Sequence, residues 1–68
     1  MSNRYLKSLR MLEGLTQQDM ANLLKISIQS YNKKENGRVS FTANELEFIA
    51  TLFGVPMENF FAKQVANA

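Results

Sequence analysis

The chain has 68 residues and contains no cysteine, no histidine and no tryptophan. Without cysteine there is no disulfide. Without either cysteine or histidine the usual zinc sites, the commonest nucleophile and the commonest general base are all missing. An enzyme is therefore not expected, and neither is a metal, a cofactor or a small-molecule substrate. One proline and three glycines leave no Pro- or Gly-rich linker, and there is no internal repeat or low-complexity tract. No apolar run approaches the roughly 18 residues of a membrane span, and Met1-Ser2-Asn3-Arg4 leads straight into an amphipathic stretch rather than a signal peptide. A cytoplasmic protein without membrane attachment is the expectation.

What remains is a small chain rich in helical patterning. Its length suits one domain whose single core is thin, a size at which efficient helix packing or self-association helps. The net charge of +2 is unevenly distributed. Residues 1–40 hold seven of the eight basic groups (Arg4, Lys7, Arg10, Lys25, Lys33, Lys34, Arg38) against three carboxylates, whereas residues 41–68 hold Lys63 against Glu45, Glu47 and Glu58. A basic front half suits a surface that meets phosphates, with the acidic half turned away.

The spacing predicts five helices. The first runs from Asn3 to Glu13, capped by Ser2 or Asn3, with Tyr5, Leu6, Leu9 and Leu12 as its buried stripe and Gly14 closing it. Thr16 caps the second, answered by Asp19 three positions on, and Met20, Ala21, Leu23 and Leu24 form its apolar stripe. Ser27 caps a third helix that Asn36-Gly37 closes. Thr42 and Glu45 make a second capping box, ahead of Leu46, Phe48 or Ile49, Ala50, Leu52 and Phe53. Gly54 ends that helix, and Pro56 opens a fifth that reaches about Ala62. The domain is thus expected over residues 1–62, with residues 63–68 a fraying tail.

The third helix has two unlike sides. At about 100° per residue, Gln29, Asn32, Lys33 and Asn36 fall within one arc of roughly 100°, with Tyr31 and Glu35 opposite. The outward row carries amides and an ammonium but no carboxylate, whereas an ordinary solvated face more often mixes Glu with Lys. Side chains of this kind fit base edges in a major groove, where Asn and Gln pair with adenine and Lys with guanine.

These residues resemble the helix-turn-helix of the lambda-repressor-like (Cro-type, XRE) DNA-binding family. The matching positions are Thr16-Gln17, Met20-Ala21, Ile26-Ser27, Tyr31 and Glu35-Asn36-Gly37, with Leu6, Leu9 and Arg10 before them and Glu45-Leu46, Ile49-Ala50, Leu52, Gly54-Val55 and Phe60 after. The resemblance spans about residues 3–61 and implies an all-α, compact five-helix fold with the helix-turn-helix formed by helices 2 and 3. It also implies an ion pair between Arg10 and Glu35 that ties the first helix to the reading helix. Two departures stand out. Lys25 occupies a turn position where the family commonly has glycine, which implies a turn built somewhat differently. Tyr31 occupies a buried position usually held by Ile or Val, so its hydroxyl needs a partner.

The functional reading is a sequence-specific regulator of transcription, a repressor occupying a double-stranded DNA operator. Ser27, Ile28, Gln29, Asn32 and Lys33 would read bases, and Thr16, Gln17, Asn36, Arg38 and Ser40 would hold phosphates. A weak homodimer through Pro56, Met57 and Phe61 would place two reading helices about one DNA turn apart, with Phe60 buried and Met57 and Phe61 exposed. Four phenylalanines in the last 21 residues favour a rival reading, a protein-interaction module such as an antitoxin that also binds its own promoter.

Overall fold

Helices make up most of residues 3–60, the part of the chain described by the computed structural model. They are α1 (Arg4–Leu12), α2 (Gln17–Leu24), α3 (Ile28–Glu35) and α4 (Ala43–Phe53). Helical backbone resumes at 58–60, where the fifth helix begins, and no strand occurs among the described residues. The architecture is the expected all-α one. The expected ends at Ser2 and Ala62, the candidate contact residue Phe61 and the 63–68 tail lie outside the described residues.

Local chemistry sets the boundaries. The Thr16 hydroxyl accepts from the Asp19 N–H at 3.0 Å while the Asp19 carboxylate accepts from the Thr16 N–H at 2.9 Å, a reciprocal box that fixes the start of α2. Thr42 and Glu45 repeat it at the start of α4. The Ser27 hydroxyl accepts from the Ser30 N–H and opens α3. Asn3 stands at the N-cap of α1 but makes no side-chain cap bond there. Its backbone N–H donates to the Glu35 carbonyl at 2.9 Å and its side-chain amide to the Lys34 carbonyl at 3.1 Å, pinning the start of α1 to the end of α3.

All four helices close alike. In each case an N–H reaches back five residues to a carbonyl, from Leu15 to Arg10, Ile26 to Ala21, Arg38 to Lys33 and Val55 to Ala50. This closure requires a left-handed residue, and the chain's three glycines supply it three times. The fourth is Lys25, at φ 61° and ψ 41°. The turn around Lys25 is therefore not built differently, as the sequence implied. It keeps the glycine geometry, and the lysine bears a steric cost of about 1 kcal/mol or more.

Leu6, Met20, Ala21, Tyr31, Ile49, Ala50 and Phe60 form the buried core. Four expected core positions stand further out. On α2, with Met20 at 0°, Ala21 falls at about 100° and Leu24 at about 40°, but Leu23 lies at about −60° and is 42% exposed. The same spacing on α4 puts Leu46, Ile49, Ala50 and Phe53 in one arc and leaves Phe48 and Leu52 exposed outside it. Leu12, the last residue of α1, is 81% exposed because the chain turns at Gly14 and Leu15 packs against the core instead. Met57, expected to be exposed, is half-buried against the core, and Phe60 is buried as expected. The Phe60 ring meets Tyr5 edge-on at 5.3 Å, and the Asn59 amide donates to the Tyr5 hydroxyl.

Candidate nucleic-acid interface

The orientation of α3 is set from inside, by one carboxylate. Glu35 is 2% exposed and accepts four hydrogen bonds. These come from Arg10 Nε at 2.9 Å and Nη2 at 3.3 Å on α1, Gln17 Nε2 at 2.9 Å on α2, and the Tyr31 hydroxyl at 2.6 Å one turn back on α3. Arg10 also donates to the Leu15 carbonyl at 2.8 Å, so the guanidinium, 11% exposed, is held at both ends. Every element of the helix-turn-helix and the helix before it meets at this group. Among the described residues no buried side-chain polar atom lacks a partner.

Burial pushes the Glu35 carboxyl upward, but the bonds from Arg10, Tyr31 and Gln17 outweigh it and hold the group below the ordinary carboxylate value. The Glu35 hydrogen bond raises Arg10 against its own desolvation. Burial, and then the neighbouring carboxylate, push the Tyr31 hydroxyl well above its usual value, so it stays protonated and donating. This answers the sequence's question about the Tyr31 hydroxyl. The tyrosine that departs from the family pattern caps the buried carboxylate, and its ring meets Phe41 edge-on at 6.1 Å.

A second ion pair flanks the first. Lys34 Nζ lies 2.7 Å from Glu45 Oε1 and 2.8 Å from Oε2, with its ammonium 5.9 Å from the centre of the Phe41 ring. Glu45 thus serves both the cap of α4 and the link from α4 to α3, and it too is held low despite burial, first by Lys34 and then by the Thr42 N–H. The capping-box spacing revealed Glu45, but nothing in the sequence pointed to its pairing with Lys34.

The opposite side of α3 is open. Gln29, Asn32, Lys33 and Asn36 are exposed, as are Lys25, Ser27, Arg38 and Ser40 around them, while Ile28 is half-buried. The side chains of Gln29, Lys33, Lys25 and Arg38 have no hydrogen-bond or ion-pair partner among the described residues. Asn32 differs. Its amide donates to Gln17 Oε1 at 3.3 Å and its oxygen accepts from Asn36 Nδ2 at 3.1 Å. Since Gln17 is itself bound to Glu35, a file of amides runs from the buried carboxylate to the surface and fixes which way Asn32 points. Of the expected phosphate ligands, Gln17 is half-buried and already engaged, with one amide N–H to spare. The Thr16 hydroxyl accepts its cap bond with its own proton uncommitted. Of the expected self-association residues, Pro56 is exposed and Met57 half-buried.

Two short helices joined by a tight left-handed turn, the second locked behind and polar in front, define a helix-turn-helix unit. A model of the helix-turn-helix family matches residues 6–60. The chain belongs to that family, the Cro-type (XRE) helix-turn-helix proteins, which are DNA-binding regulators of transcription. No curated protein and no solved structure was found to match it. No described helix is long and apolar enough to cross a membrane.

Proposed function

We propose that the protein represses transcription by occupying an operator, with α3 lying in the major groove of double-stranded DNA. The observation that carries this reading is the asymmetry of α3. The side chains of Tyr31, Lys34 and Glu35 are consumed by internal partners, while those of Gln29 and Lys33 face outward with none among the described residues. In this reading Gln29, Asn32 and Lys33 contact base edges, and Ser27 and Ile28 sit at the entering end, where Ile28 touches a thymine methyl. Thr16, Gln17, Asn36, Arg38 and Ser40 hold phosphates and set the register. The mechanism is occlusion, with no chemistry on the DNA. Two copies on adjacent major grooves would raise selectivity, since one small module buries only about 600 to 1,000 Å² on DNA.

The test is a fluorescence titration with labelled random duplex across a salt series, followed by selection of bound sequences from a random pool. Binding through phosphates weakens steeply with salt, and selection should recover a preferred site. A flat salt response, or no enrichment, would sink the reading. The exposed Phe48 and Leu52, one turn apart on α4, favour a second reading in which a protein partner is the main ligand, as for an antitoxin. In that case selective duplex binding would be confined to the protein's own promoter and secondary to binding of the partner.

A further inference from the structure

Lys25 is anomalous on three counts. It holds a left-handed backbone conformation that, among the described residues, is otherwise held only by glycine. It is exposed, and its side chain has no hydrogen-bond or ion-pair partner among the described residues. It also stands two residues before Ser27, the cap of α3, at the junction of the two helices. Strain of this kind persists where something else rewards it, and a glycine would close α2 without strain. No hydrogen bond or ion pair of its side chain with another described residue compensates. A lysine at a helix C-terminus does gain from the helix dipole, but an exposed cation there gains little.

We propose that Lys25 is a further DNA-contacting residue, its ammonium binding a backbone phosphate beside the entry of α3 into the groove. The lysine puts a point of positive charge at the tip of the motif, in a conformation that Gly14, Gly37 and Gly54 fill without a side chain at the other three closures. The long stem lets the ammonium reach a phosphate while the backbone keeps the turn's geometry. The contact is electrostatic and indifferent to base sequence, so it strengthens binding to all duplexes. This rests on the DNA-binding reading above.

The experiment compares wild type, Lys25→Gly, Lys25→Asn and Lys25→Arg by fluorescence anisotropy with a labelled random duplex over a series of KCl concentrations, with thermal unfolding of each free protein. Glycine and asparagine both tolerate the left-handed turn, so both variants fold. Each should bind about 3- to 10-fold more weakly at low salt, and the slope of log affinity against log salt should shrink by about 0.9, the contribution of one neutralised phosphate. Lys25→Arg should keep the wild-type slope. The melting temperature of Lys25→Gly should be no lower than that of wild type, so affinity and stability part company. Wild-type affinity and slope in Lys25→Gly would overturn the Lys25 assignment and leave the DNA-binding reading intact. Absence of salt-dependent binding by the wild type would overturn both.

Discussion

The two sides of α3 are built from similar side chains and put to different use. Inward, Glu35 bonds to α1 and α2, Lys34 bonds to α4, and the Tyr31 hydroxyl donates to Glu35 within α3 itself. Outward, Gln29, Asn32, Lys33 and Asn36 are equally polar but either free or bonded only to one another and to Gln17. Polarity alone therefore does not separate a structural residue from a ligand-facing one. What separates them is whether the hydrogen-bonding capacity is spent within the fold. A buried ion pair is weak evidence for stability but a strong constraint on geometry, and here the constrained object is the helix that carries the open row.

This contrast can be broken most forcefully at Glu35. Glu35→Ala should cost about 3 to 5 kcal/mol, because it leaves the Arg10 guanidinium buried and unpaired, a large share of the stability of a domain this small. Denaturant unfolding measures it. In a double-mutant cycle with Arg10→Ala, strictly additive losses would mean the two groups are not coupled. On the outer side, Lys33→Ala should leave stability within about 0.5 kcal/mol of wild type. It should nonetheless weaken binding to the selected site by about 1 to 3 kcal/mol and relax preference at one base pair. Equal losses on selected and random duplex would remove Lys33 from the reading row.

Acid sharpens the comparison more gently. Glu35 and Glu45 are both held below the ordinary value of 4.5 in the folded protein. Their stabilisation is fully present above that value and is lost as pH falls through the lower folded values, when the carboxylates must take up protons. Stability should thus be level above about pH 5 and decline below it. In Glu45→Gln the decline should be shallower, whereas Lys33→Ala should leave its shape unchanged. A decline that Glu45→Gln leaves untouched would show that Glu45 is not one of the groups responsible.

The sequence disclosed the helix boundaries well, because caps and closures are local. Thr16 with Asp19, Thr42 with Glu45, and Gly14, Gly37 and Gly54 act within a few residues of themselves. The Arg10–Glu35 pair was legible only through family resemblance. The bonds from Gln17 and Tyr31 to Glu35, and from Lys34 to Glu45, were not legible. Each depends on which way a long side chain turns once the helices have docked, and periodicity does not encode that. The stripes were read slightly too broadly, at Leu12, Leu23, Phe48 and Leu52, because hydrophobicity does not reveal where a short helix's inward arc ends.

The Glu35 junction also bears on how the chain folds. Its side-chain bonds close sequence separations of 4, 18 and 25 residues. Closing loops of this size carries an entropic cost that rises only slowly with length. Arg10, at the longest separation, is the last of the three to find the carboxylate if loops close in order of length. The α2–α3 hairpin would then acquire its shape first and α1 would lock it afterwards. In hydrogen-exchange terms, amides of α1 should open before those of the hairpin.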